Sequence, residues 1–240
     1  MSRSRPSSRG SIGWVLSFEY RGLGPEPHYC DYQETWDYQR EVHAAVAGGL
    51  RGDHVIYVEH SPVYTAGRRT RESDYPVDGT PVIPVDRGGE ITYHGPGQLV
   101  GYPILRLADG VGVVDYVRAL EAGVISLLAG YGLPSGRVVG RTGVWLGASE
   151  GRPERKICAI GVRVASRTTM HGFALNVQSS AERFGNIVPC GISDAGVTSI
   201  VEELPGRWEV AEVARDLEPH LICALAPLRA RPDRKVDSTG

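Results

Sequence analysis

Short apolar runs bounded by glycine or proline dominate the middle of the chain. HVIYVEH at 54–60, TPVIPVD at 80–86, QLVGYPIL at 98–105, GVWLG at 143–147, KICAIGVRV at 156–164 and HGFALNV at 171–177 are rich in β-branched residues and short. They read as strands. A period of 3.6 appears three times. It runs over 38–50, over a stretch that puts Val113, Val117, Leu120, Val124 and Leu127 on one face, and over 208–226 with Val210, Val213, Leu217, Leu221 and Ala224 in register. These predict helices. Strands interrupted by a few helices, without strict alternation of the two, predict an α+β fold: a mixed β-sheet with flanking helices. There is no internal repeat and no interior linker, so a single domain is expected over 12–228, with disordered tails at 1–11 and 229–240.

Composition narrows the class. With 41% hydrophobic and 22% charged residues the chain is ordinary for a globular protein, and no run approaches the ~20 apolar residues of a membrane span. The net charge of -2 lacks the basic balance of a nucleic-acid binder. Neither a membrane nor a nucleic acid is an expected partner. Cys30, Cys158, Cys190 and Cys223 have no metal-like spacing, which predicts free thiols in a reducing cytoplasm and no bound metal. The Arg/Ser-rich opening fits a disordered tail and also, more loosely, a transit peptide. Of the 26 basic residues only Lys156 and Lys235 are lysine. An amine can surrender a proton where a guanidinium cannot, so Lys156, inside a predicted strand, is chemically distinct.

Three segments offer chemistry. In RGGEITYHGPGQLVGYPI, 87–104, five glycines and two prolines allow the backbone to approach a ligand closely, although a glycine-rich hairpin with a structural His94 accounts for the same residues. The segment is neither a P-loop nor a dinucleotide fingerprint. In FGNIVPCGIS, Pro189 and Gly191 predict a bend that presents Cys190, against the alternative of a buried apolar thiol. Strict alternation along 156–164 would set Lys156 on one face with Cys158, Ile160, Val162 and Val164. Partial desolvation there favours a proton-accepting amine, whereas a snorkelling lysine needs no function.

Taken together, RGGEITYHGPGQLVGYPI, KICAIGVRV, HGFALNV and NIVPCGI resemble the lipoate-pathway octanoyltransferases, relatives of the lipoate and biotin protein ligases, in order and spacing between about residues 15 and 228. The resemblance implies a biotin/lipoate protein ligase-like single domain. It implies transfer of an octanoyl group from octanoyl-acyl carrier protein, through a thioester on Cys190 activated by Lys156, to a lysine of a lipoyl domain. The acceptors would be the lipoyl domains of 2-oxoacid dehydrogenase complexes and the glycine cleavage H protein. No cofactor and a monomeric state are expected. The implied acyl-site residues are Arg87, Gly88, Gly89, Glu90, Ile91, Thr92, Tyr93 and His94, with Ala159, Ile160 and Gly161, and with Gly172, Phe173 and Ala174.

Thiolate chemistry is consistent with those roles, because a thiol of ordinary pKa about 8.5 needs a neighbouring base or cation to react at neutral pH. An ATP-dependent lipoate ligase would share the fold but need no Cys190. A carrier-binding module without activity would need neither Cys190 nor Lys156, and a thiol hydrolase would need His94 or His171 beside the thiol. Arg68, Arg69 and Arg71 form the densest basic cluster and are expected either to dock acidic carriers or simply to be solvated.

Overall fold

β2 (His54–Val58) is buried at all five positions, with Val55 and Tyr57 facing one hydrophobic cluster and Ile56 and Val58 another. A strand apolar on both faces belongs inside a covered sheet. In this computed structural model, which describes residues 15–24, 26–76, 80–149, 151–179 and 195–230, that sheet has the strand order β1-β2-β6-β10-β9-β8-β7. The other members are β1 (Ser17–Arg21), β6 (Gln98–Ile104), β7 (Gly136–Val138), β8 (Arg141–Leu146), β9 (Arg155–Ala165) and β10 (Thr168–Asn176). β11 (Gly196–Val197) adds to β9 in parallel. A second sheet has the order β4-β3-β5, from β3 (Val63–Ala66), β4 (Val82–Pro84) and β5 (Ile91–His94). Parallel pairs β1–β2, β3–β4 and β9–β11 stand among antiparallel ones, which is the mixed sheet the sequence predicts. Cys190, residues 1–11 and residues 231–240 lie outside the described residues.

Helices cover the two faces. α2 (Val113–Gly130) and α4 (Val210–Leu225) pack on the face that carries Leu99, Val144, Ile157, Cys158 and Leu175. Leu120, Val124, Leu127, Leu217, Leu221 and Leu225 are all sealed there, each stabilising the fold by about 1.5–3 kcal/mol relative to exposure. α1 (Tyr32–Ala47) packs on the opposite face through Val42 and Val46, against Val100, Tyr102, Ile104 and Ala174. It begins before the predicted residue 38 because Asp31 caps it, accepting from the Glu34 N–H at 3.0 Å. A short α3 (Ile200–Glu203) follows β11. No helix among the described residues is long and apolar enough to cross a membrane.

Two features place the future site. β9 and β10 are joined by Ser166 and Arg167, both at positive φ (49° and 57°), the backbone of a tight two-residue hairpin. β10 also lies unusually close to β6: a Cβ on Gly172 would collide with the Gly101 carbonyl oxygen and stand 2.8 Å from Pro103 Cδ. Gly172→Ala is therefore expected to destabilise the protein by about 1–3 kcal/mol, the usual cost of overpacking. Gly130→Ala, where a Cβ meets nothing within 4 Å, should be neutral or slightly stabilising because it favours the helix. Urea denaturation of the two variants separates these outcomes.

Candidate active site

β8 pairs with β9 only from Leu146↔Arg155 to Val144↔Cys158, so beyond Cys158 that edge of β9 is open to other partners. The loop leading into β5 takes up part of it, with the Gly88 N–H donating to the Val162 carbonyl at 3.0 Å. A cavity of about 840 Å³ surrounds the remainder. Its wall includes Arg87, Gly88, Gly89, Glu90, Ile91, Thr92 and His94, then Lys156, Ala159, Ile160 and Gly161, then Gly172, Phe173 and Ala174. Segments far apart in sequence thus line one cavity. Tyr93 is not in the wall; its ring packs on Tyr64 with centroids 5.3 Å apart. Tyr32, Val100, Tyr102, Val113, Val117, Arg141 and Thr142 also line the cavity and were not anticipated. Val113 and Val117 read in the sequence as core positions of α2. Val117 does pack against that core as well as lining the cavity, whereas Val113 lies beyond it and is 47% exposed.

Arg87 builds the loop rather than offering its charge. Its guanidinium donates to the carbonyls of Gly88, Glu90 and Thr65 and to the Thr65 hydroxyl, at 2.6–3.1 Å. Only a planar fork of five donors can serve so many acceptors at once. Its stem rests on Gly161, where a Cβ would stand 2.9 Å from Arg87 Cδ.

His94 is held by a chain of side chains. Its Nδ1 lies 2.7 Å from Gln98 Oε1; Gln98 donates to Asn176 Oδ1 at 2.9 Å, and Asn176 donates to the Thr198 carbonyl at 2.9 Å. The direction of the chain makes Nδ1 the protonated nitrogen. Burial, then the neighbouring His60, pushes the His94 imidazolium down to about 3. His60, which has its own hydrogen bonds to the Cys30 carbonyl and the Tyr102 hydroxyl, is pushed by burial down to about 4. His171 is likewise lowered by burial, against the opposing hydrogen bond of its Nε2 to Asp86 at 2.8 Å. All three are neutral near pH 7.

Lys156 does not share a face with Cys158. Val144 pairs with Cys158 and Trp145 pairs with Lys156, so one extra residue, Ile157, is accommodated in β9. Such a bulge turns the strand. Ile157 and Cys158 both face the helix-covered core, and Lys156 falls on the opposite face with Trp145. Its Nζ lies 4.6 Å from the Trp145 ring centroid, its residue is only 8% exposed, and its carbonyl accepts from the Thr198 N–H at 3.0 Å. Burial raises the Cys158 thiol far above its ordinary range, which removes it as a thiolate.

The fold is that of the lipoate protein ligases. A putative lipoate protein ligase of Thermoplasma acidophilum has a TM-score of 0.65 at 13% identity over 88% of this chain and 85% of its own. A lipoate-protein ligase A bound with ATP has 0.62 at 14%, over 82% and 81%. At the sequence level, residues 31–222 match the lipoyl protein ligase A/B catalytic domain, and the chain belongs to that family. It is 56% identical over 236 residues to an octanoyltransferase of Cutibacterium acnes, covering 92% of this chain and 87% of the relative. It is 55% identical over 196 residues to an octanoyltransferase of Mycolicibacterium gilvum, covering 81% and 82%.

The buried histidines carry a pH consequence. Unfolded, each binds a proton near its ordinary 6.5; folded, His60 and His94 do so only near 4 and 3. The unfolded state therefore holds more protons below pH 6.5, and stability falls as the pH drops from there towards the folded values. Urea midpoints measured from pH 7 to 4 should show this decline, and His60→Gln should make it shallower.

Proposed function

We propose that this protein is an octanoyltransferase that carries an octanoyl group on Cys190 and passes it to a lysine of a lipoyl domain. The observation that carries this reading is the identity of 53–56%, over four-fifths of the chain or more, to proteins of that activity. The cavity supports it, since Ile91, Val100, Val117, Ile160, Val162 and Phe173 give its mixed wall an apolar portion and Lys156 stands in the same wall.

In the first half-reaction the Cys190 thiol gives its proton to the Lys156 amine, and the sulfur attacks the thioester carbonyl of octanoyl-acyl carrier protein. The bond from carbonyl carbon to carrier sulfur then breaks, and the departing thiolate takes the proton from Lys156. In the second, a neutral acceptor lysine attacks the Cys190 thioester. Its surplus proton passes through Lys156 to the Cys190 sulfur as that C–S bond breaks, leaving an amide. The acyl chain lies between the 87–94 loop and the strand segments 159–161 and 172–174. The acceptors are the lipoyl domains of 2-oxoacid dehydrogenase complexes and the glycine cleavage H protein. The free thiols suit a cytoplasmic setting.

Intact-mass spectrometry with octanoyl-acyl carrier protein and no acceptor tests this directly. The parent should gain one octanoyl group, without ATP, as a hydroxylamine-sensitive adduct, and Cys190→Ala should gain none. Lys156→Arg keeps the charge but not the base, and should acylate about 10²- to 10⁴-fold more slowly. An adduct surviving in Cys190→Ala, or a requirement for ATP, would sink the reading.

Arg68 and Arg69 are exposed at the mouth of the same cavity, a position suited to an acidic carrier. Arg68→Glu/Arg69→Glu should lose kcat/KM for the carrier-bound donor but not for a small octanoyl thioester. The loss should shrink as salt rises from about 0.1 M to 1 M and the Debye length falls from about 10 to about 3 Å. Steady-state assays with both donors read the difference.

A further inference from the structure

The bulge at Ile157 has an anchored partner. Opposite it, Gly143 adopts φ +116°, and a Cβ there would strike the Cys158 carbonyl, so the close approach of the two strands beside the bulge requires glycine; the Lys156 stem passes at ordinary contact distance, 3.7 Å from that Cβ position. The Gly143 N–H donates at 3.1 Å to Glu121, whose fully buried carboxylate is also held by Arg118 and Arg137 at 2.7 and 2.8 Å. Two residues on, Trp145 is 3% exposed, and its ring carries the Lys156 ammonium at 4.6 Å. That distance is well inside the range of a cation–π contact, and burial strengthens it. The Trp145 indole N–H is buried and has no hydrogen-bond partner among the described residues. The ring is thus used for its face and not for its donor.

We infer that Trp145 is a positioning residue for Lys156: its π face holds the ammonium in the place the bulge creates, so the amine meets the cavity at one point. This rests on the reading of Lys156 as the acid–base partner of Cys190. Two neighbouring guanidinium groups have carboxylate partners of their own. Arg155 is paired with Glu203 at 2.6 Å, and Arg141, 5.6 Å from the same ring centroid, has Glu154 at 3.6 Å.

The test compares Trp145→Phe, which keeps a π face and loses no hydrogen bond, with Trp145→Leu, which keeps apolar bulk without the face. One readout is the single-turnover rate of Cys190 acylation by octanoyl-acyl carrier protein. The other is the rate at which an N-hydroxysuccinimide ester modifies Lys156, read by peptide mass with Lys235 as internal standard, which is practical because the chain has only these two lysines. Trp145→Phe should stay within about threefold of the parent on both. Trp145→Leu should acylate about 3- to 30-fold more slowly, the rate equivalent of a partly desolvated cation–π contact, and its Lys156 should be modified faster while Lys235 is unchanged. Identical behaviour of the two variants on both readouts overturns the proposal. Altered Lys156 labelling in Trp145→Leu with normal acylation upholds the positioning and instead removes Lys156 from the proposed reaction. If Trp145→Leu does not fold, protein grown on tryptophans of increasing fluorination keeps the shape while weakening the π face. Graded acceleration of Lys156 labelling then supports the role, and its absence overturns it.

Discussion

Beyond Cys158 the outer edge of β9 has no neighbouring strand among the described residues, and backbone donors and acceptors left there must be satisfied or reach solvent. That constraint shapes this end of the molecule. The Gly88 N–H meets one carbonyl, and the loop that brings it is held rigid by Arg87 from within. The cavity occupies what the loop leaves open. Because it follows an edge, it takes walls from both faces of the sheet: Tyr32 and Ala174 from the α1 side, Val117 and Phe173 from the α2 side. A site between two fully paired strands would have had only one of these surfaces.

The polar groups around this edge form connected sets. His94, Gln98 and Asn176 lead to the Thr198 carbonyl, and the Thr198 N–H returns to the Lys156 carbonyl. On the preceding residue, Arg155 makes paired contacts at 2.6 and 2.7 Å to Glu203, whose carboxyl that guanidinium holds down at about 2. The Thr198 hydroxyl bonds to the same Glu203. Buried networks of this kind are strongly coupled, and loss of one member leaves the others unsatisfied. The backbone on both sides of Lys156 is thereby fixed without using its amine.

Much of this was legible in the sequence, and the misses share a cause. Strands built on a continuous apolar run bounded by turn residues, such as β2, β6 and β10, were readable to within a few residues. β3, β5 and β7, each of three or four residues, were not, and neither was β1, although β4, equally short, was found because Gly and Pro bound its apolar run. Arg87–His94, Ala159–Gly161 and Gly172–Ala174 come together around one cavity, except for Tyr93. The face of Lys156 was misread because alternation assumes one residue per partner, and the extra Ile157 exists only in relation to β8. Tyr32, Val113 and Arg141 gave no signal because each reaches the cavity through packing between distant elements.

The burial of Lys156 has a bearing on self-modification. A protein that hands acyl groups to lysine amines risks labelling its own, all the more under the function proposed above, in which carriers would bring reactive thioesters to its surface. Among the described residues this chain displays arginine at every other basic position, and its one lysine is 8% exposed. Guanidinium groups remain protonated and do not accept an acyl group at neutral pH. The side-chain amines presented to a loaded thioester are therefore, over that surface, almost entirely those of the acceptor.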